Sequence, residues 1–172
     1  TVEWLRMRSL SEDTVVYDEA GVKFAFDFGI TDAFQIDLST QTDGASTDVS
    51  ATYSTVWTDL ANSNPILDML ALCNAIQQAT GFRPREFVCS NQALNYILNN
   101  ANVRAMIRGT GAPSTVLSLN ELAVLQSLYD LPQIVTYDVV VQKEAENGTL
   151  SDIRPMAVNK ALFVPAAASQ IP

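Results

Sequence analysis

The sequence predicts an α+β fold, and three observations carry that reading. A helix signal opens at Asn64-Pro65 and closes at Gly81, residues 134–141 form a strongly β-rich run, and helical and extended patterns alternate between them, an α+β or α/β pattern. The chain has 172 residues, 48% of them hydrophobic, which is enough to build one ordinary core.

Taken in order, residues 1–60 read as extended structure with turns. Val15-Val16-Tyr17 is β-rich, Asp18-Glu19-Ala20-Gly21 is a turn signal, and residues 22–28 alternate with their apolar or aromatic members on one side. This pattern predicts a hairpin with one buried face. Residues 40–54 are rich in Thr, Ser, Asp, Ala and Gly and lack a helical stripe, so a loop or a weakly paired edge segment is expected. Asn64 is a good N-cap, Pro65 suits the first helical position, and Asp68 lies in the first turn near the positive end of the helix dipole. Ile66, Met69, Leu70, Cys73 and Ile76/Gln77 keep helical spacing, Leu67 and Leu72 widen the stripe, and Gly81 stands where a left-handed cap belongs. The spacing predicts a helix over 64–80.

Arg83-Pro84-Arg85 breaks that pattern, and residues 86–89 read as a short strand ending at Ser90. Ser90 caps a second helix to about Asn99, with Leu94, Ile97 and Leu98 facing inward, and residues 102–108 add one further turn. Ser118-Leu119-Asn120-Glu121 is a reciprocal capping box, and the helix behind it carries Leu119, Leu122, Leu125 and Leu128 at helical spacing. Leu131-Pro132 closes that helix. Residues 134–141 are the clearest strand, residues 146–149 make a turn, and residues 161–165 form a last buried strand.

Charge excludes several functions. The formal net charge is −9, with 10 Lys+Arg against 19 Asp+Glu and no histidine. Binding to nucleic-acid backbone depends on cationic side chains, so sequence-specific nucleic-acid binding is not expected. Without histidine there is no Ser-His-Asp, Cys-His or His-metal arrangement. Residues 1–60 hold 11 acids and three bases, whereas the remaining 112 residues are nearly neutral with 8 acids and 7 bases. So sparsely charged a segment fits either a surface that meets other chains or a well-packed domain with few surface charges. Two cysteines do not make a disulfide framework, and free thiols in a reducing compartment are expected. No stretch approaches a membrane span and no basic-then-apolar leader opens the chain, so a soluble, intracellular protein is expected. The chain starts at Thr1 and stops just after an apolar run, which suggests an excerpt of a longer polypeptide.

No set of residues forms a catalytic pattern, and the expectation is no enzyme, no catalytic, cofactor or metal site, and no cofactor. The adjacent acids Glu12/Asp13 and Asp18/Glu19 lie together in turns, unlike the opposed carboxylates of a glycosidase. Gly109-x-Gly111 lacks the Gly-Lys-Ser/Thr of a phosphate loop. Cys73 and Cys89 fall at apolar positions and read as small buried hydrophobes. Arg83, Arg85, Arg104 and Arg108 cluster in sequence, which suits an anion contact or bridges to acids of a neighbouring subunit.

The segment Glu3-Trp4-Leu5-Arg6-Met7-Arg8-Ser9-Leu10, followed by Phe26-Asp27-Phe28-Gly29, resembles the lambda-type major capsid (head) protein family of tailed bacteriophages. The likeness continues through Trp57-x-Asp59, Asn64-Pro65-Ile66-Leu67-Asp68, Thr80-Gly81-x-Arg83-Pro84-x-Glu86-x-Val88-Cys89-Ser90, then Leu94 and Ile97-Leu98-Asn99-Asn100. The order and spacing of these short motifs carry the resemblance over residues 3–100, and less specifically to Pro165.

The resemblance implies the Hong Kong 97-like capsid fold. Residues 1–30 would be part of its extended loop or hairpin, 31–84 a peripheral domain with its spine helix at 64–80, and 85–165 an axial domain with a return strand, leaving 166–172 as the tail of a fragment. It also implies a structural subunit of a phage or prophage capsid, self-assembling into hexamers and pentamers around packaged double-stranded DNA. Its partners would be copies of itself, with scaffold, decoration or portal proteins, and no membrane or small-molecule substrate. Its location would be the virion capsid, assembled in the bacterial host cytoplasm. Two other readings stand beside this one: an encapsulin-type nanocompartment shell, and a small-ligand-binding or enzymatic domain with a pocket lined by Arg83, Arg85 or Arg104.

Overall fold

The computed structural model describes residues 14–19, 22–27, 30–109, 111, 115–144 and 150–164. It is a mixed α+β structure. Strands β1 (Thr14–Glu19) and β2 (Val22–Asp27) form an antiparallel hairpin in which Thr14 pairs with Asp27 and Glu19 with Val22. The expected one-sided burial of that hairpin lies outside the described residues, as do the turn at 146–149 and the tail at 166–172.

Residues 30–58 form a layer with one short 3-10 turn (Asp32–Phe34) and two isolated bridges, Asp37↔Thr42 and Thr42↔Asp48. Aspartates shape its turns. The Asp37 carboxylate accepts from the backbone and hydroxyl of Ser39 at 2.8 and 2.6 Å, Asp43 from the backbone of Ala45 and Thr47 at 3.0 Å, and Asp48 from the backbone of Ser50 at 2.9 Å. Such local acceptors replace a ladder as the partners of backbone N–H groups. Gly44 stands where the layer folds on itself: a Cβ there would lie 3.1 Å from the Asp32 Cα, so the neighbouring backbone would have to give by a few tenths of an ångström.

Helix α1 (Pro65–Thr80) follows. The Asn64 side chain accepts from the Leu67 backbone, Pro65 is in the first turn, and Gly81 closes the helix with φ 78°, a left-handed conformation that suits glycine. Ile66, Met69 and Cys73 are buried, but Leu67, expected to widen the stripe, is 48% exposed. Strand β3 (Glu86–Cys89) is the centre of a three-stranded sheet, parallel to β4 (Gln133–Thr136) and antiparallel to β7 (Ala161–Val164). Between β3 and β4 run α2 (Asn91–Asn99), α3 (Ala101–Arg108) and α4 (Leu119–Leu128), while β5 (Val141–Glu144) and β6 (Leu150–Ile153) make a separate hairpin.

One apolar core joins α1, β3 and the helices behind it, with Ile66, Met69, Phe87, Ile97, Val103 and Leu125 at 0–1% exposure. Phe87 is its aromatic centre. Its ring lies 6.0 Å from that of Trp57 and 4.9 Å from that of Phe163, both tilted, within the range of favourable ring contacts.

Three sequence expectations need correction here. The strand at 134–141 is two strands in different sheets, because its partner β3 ends at Cys89 where Ser90 starts α2. The last rung is Tyr137 N–H to Cys89 O at 2.8 Å, after which Asp138 turns the chain by accepting from the Asn91 backbone at 2.7 Å. The single turn at 102–108 is an eight-residue helix, since Asn100 caps it by accepting from the Asn102 and Val103 backbones at 2.9 and 3.1 Å. Of the α4 leucines only Leu122 and Leu125 are buried; Leu119 and Leu128 are 63% and 70% exposed. A leucine every third residue walks around a helix with 3.6 residues per turn, so four in a row leave the core face.

Asn100 is fully buried and also donates to Ser63 Oγ at 2.8 Å, tying the α2–α3 junction to the chain before α1. Its replacement, Asn100→Ala, removes a helix cap and one of the two hydrogen bonds of the buried Ser63 hydroxyl, which keeps its bond to Asp59 O at 2.7 Å. The expected loss is about 2–3 kcal/mol of unfolding free energy in urea titrations.

Candidate functional site

Three of the sequence motifs gather around the start of α1. Asp68, 5% exposed, accepts three hydrogen bonds from one approaching segment: from the Ser54 backbone and hydroxyl, each at 2.6 Å, and from Trp57 Nε1 at 2.8 Å. Ser54 Oγ in turn accepts from the Asn64 backbone at 2.8 Å, and Gln41 donates to Ser54 O at 2.8 Å. A buried carboxylate is tolerable only when such donors compensate for lost water. Asp59 works alongside it. Its carboxylate accepts from the Ala61 and Asn62 backbones and from Asn62 Nδ2 at 2.8 Å, bonds that hold its pKa below the usual value, first through the Asn62 side chain. Asn102 Nδ2 closes the frame by donating to Ser63 O at 2.7 Å, and the Ala101 backbone donates to Leu60 O at 2.8 Å. The Trp57-x-Asp59, Asn64-Pro65-x-x-Asp68 and Asn99-Asn100 motifs thus meet in one polar frame.

The arginines do not converge. Arg83 bridges Asp130 at 3.1 Å and donates to Asn74 and Gln77 at 2.9 and 3.0 Å, fastening the corner after α1 to the end of α4. Arg104 donates to Asn99 O at 2.7 Å and Arg85 is exposed. Arg108 makes a two-pronged pair with Glu121, 2.7 Å from Nε and 2.8 Å from Nη2, and also donates to Thr115 Oγ1 at 2.6 Å. Glu121 completes the capping box by accepting from the Ser118 backbone at 2.8 Å. The Arg108 guanidinium, then the Ser118 donors, hold the Glu121 carboxyl down at about 2.

A half-open cavity of about 560 Å³ lies between the 30–58 layer and the body, lined mainly by apolar and aromatic side chains including Phe34, Tyr53, Trp57, Phe87, Tyr96 and Phe163. None of the four arginines lines it. The expected arginine pocket is therefore corrected: α2, α3 and the corner at 81–85 separate residues that are neighbours in sequence, and three of the four are engaged by partners within the chain. Cys73 and Cys89 are fully buried, and burial pushes both thiols up to about 11, so they stay protonated at neutral pH. The acid pair Glu12/Asp13 lies outside the described residues. Among the described residues no group of three or more His, Cys, Asp or Glu is placed to hold a metal ion, and no helix is long and apolar enough to cross a membrane.

Among the described residues, the motif side chains around the start of α1 are engaged in hydrogen bonds within the chain, with Asp68 as their hub. The chain belongs to the phage major capsid protein E family, which matches residues 1–171. Among solved structures it is similar to a phage-related protein from Bordetella bronchiseptica RB50, at 22% identity and a TM-score of 0.40, over 56% of this chain and 30% of that one. The chain thus spans under a third of the length of that relative. No curated protein matches.

Two outcomes follow from this frame. Asp68→Ala takes the acceptor from the Ser54 backbone and Trp57 Nε1 and leaves the Ser54 hydroxyl, as donor, only its 3.4 Å contact with Thr55 O, so unfolding free energy falls by about 3 kcal/mol, and in a Trp4→Phe background the Trp57 emission shifts to the red. The second concerns pH. Because the folded Glu121 pKa lies below its ordinary 4.5, its contribution is present above that value and is lost as pH falls toward about 2. The urea midpoint of the wild type should fall more steeply through that window than that of Glu121→Gln; parallel curves would refute the assignment.

Proposed function

We propose that this chain is a structural subunit of a bacteriophage or prophage head, whose task is to contact copies of itself in a closed shell of hexamers and pentamers around packaged double-stranded DNA. The observation that carries the proposal is the family match over residues 1–171. On this reading the protein performs no chemistry. An acidic chain without histidine suits a shell lining, because a wall that does not grip the polyanion lets the genome slide during packaging.

The finer proposal is the Hong Kong 97-like arrangement. The β1–β2 hairpin within 1–30 is the extended loop, 31–84 is the peripheral domain with α1 as its spine helix, and 85–165 is the axial domain with β7 as return strand. The element order supports this mapping: a two-stranded hairpin, an irregular layer, the longest helix, then a sheet with three crossover helices. A two-stranded hairpin is marginal on its own and gains stability by lying across a neighbouring subunit. Partners are copies of the chain, with scaffold, decoration or portal proteins. The location is the virion, assembled in the host cytoplasm.

The test is the quaternary state of the full-length gene product. Rings or shells in electron micrographs are expected; monomers alone across several salt and pH conditions would overturn the proposal.

A further inference from the structure

Each acid within residues 109–142 has an arginine partner, although Asp130 remains 76% exposed. The stretch contains three charged residues, all acids, and each is matched by an arginine from outside it: Glu121 by Arg108, Asp130 by Arg83, and Asp138 by Arg154 at 3.2 Å. The same stretch carries most of the exposed large apolar side chains. Seven of the eleven exposed large hydrophobics among the described residues fall within 116–140. Helix α4 concentrates them: Leu119, Val124 and Leu128 are 60–70% exposed, and the residues exposed between them are Asn120, Ala123 and Ser127. Val124 and Leu128, four apart, lie side by side on one helix face. The only charged residue of α4, Glu121, is turned aside into its pair with Arg108.

Isolated exposed apolar residues need no explanation, but a whole outer helix face without a charge does. We infer that the outer face of α4 is a contact between copies of this chain. The charge balance selects the occupant. Of the −9 per chain, −8 lies in residues 1–60, so copies that meet through that segment repel one another, whereas a face in the near-neutral part whose acids are paired from within lets two copies approach without that cost. The face offers no free cation to a phosphate backbone, so DNA is not its occupant. This inference rests on the capsid reading and names one of the surfaces through which that subunit would assemble.

The test uses the full-length chain with Val124→Glu and, separately, Leu128→Glu. Both side chains are more than half exposed, so monomer circular dichroism and thermal midpoint should stay at wild-type values. A carboxylate placed in a dry contact should lower the assembled fraction, read by sedimentation and microscopy, by about tenfold or more. A second readout avoids mutating toward charge. Val124→Cys, labelled with a thiol-reactive photo-cross-linker, should yield chain-to-chain adducts, while the buried thiols of Cys73 and Cys89 resist labelling. Wild-type assembly with undiminished assembly of both glutamate variants, or adducts only with another protein or with DNA, overturns this inference and leaves the capsid reading standing. Failure of the wild type to assemble removes the capsid reading itself.

Discussion

Asp68 carries the constraint from which the N-terminal part of the structure follows. Helix α1 buries it one turn from the helix start, where the dipole favours a negative charge, but the dipole alone does not replace a lost hydration shell. The remaining oxygens must find donors, and Ser54 and Trp57 supply three. This fixes where the 30–58 layer crosses the helix. It also brings Trp57 onto Phe87, so a polar requirement at the helix start places an aromatic side chain on the centre of the sheet. The layer itself has few ladder bonds, and its aspartate turns shape it locally without saying what it packs on. Without the carboxylate hub, little else in the layer would select one position over another.

Asn100 plays the matching role on the far side of the core. Its carbonyl starts α3 and its amide reaches Ser63, so the bend between α2 and α3 and the approach to α1 are set by one buried side chain. Its oxygen is satisfied by the start of α3 and its amide by Ser63, so both are satisfied together only if both segments are in place, and half-satisfied buried networks are strongly disfavoured. The two hubs are nearly contiguous through residues 59–64. This couples the irregular layer, the long helix and the crossover helices into one cooperative unit rather than a core with an appended loop.

What the sequence disclosed depended on how local the determinant was. The limits of α1 were legible because Asn64, Pro65 and Gly81 act on their own neighbours. The Ser118–Glu121 box and the Ser90 cap were legible for the same reason. The split of the 134–141 run was not, because a strand ends where its partner ends, and β3 is interrupted by a helix cap 47 residues earlier. Asn100 was not legible as a cap because it both follows one helix and starts the next. Asp68 was legible as a first-turn acid but not as a hub, since its donors arrive from a segment with no periodic signal. The arginines misled because β3 and α2 lie between Arg85 and Arg104, and Arg83, Arg104 and Arg108 are each taken up by partners within the chain.

The acids along the chain are used in two ways, and the contrast explains the uneven charge. In residues 30–60 Asp37, Asp43, Asp48 and Asp59 accept from backbone N–H groups within four residues, keeping their negative charge while shaping turns. Hydrogen bonds from Ser39 and Ser50 hold Asp37 and Asp48 below the usual carboxylate range, so that charge persists well into mildly acidic solution. In residues 109–142 the acids instead meet arginines across the fold, and the charge disappears at its source. Turns need an acceptor and do not require a cation, so the first region remains strongly negative. Fastening α3 to α4, α4 to the corner after α1, and β4 to the β5–β6 hairpin draws on arginine, so the second region is neutral. The near-neutral second half of the sequence is therefore not merely poor in charge: its folding topology pairs the charges it has and leaves the apolar outer residues of α4 without a screen of like charge around them.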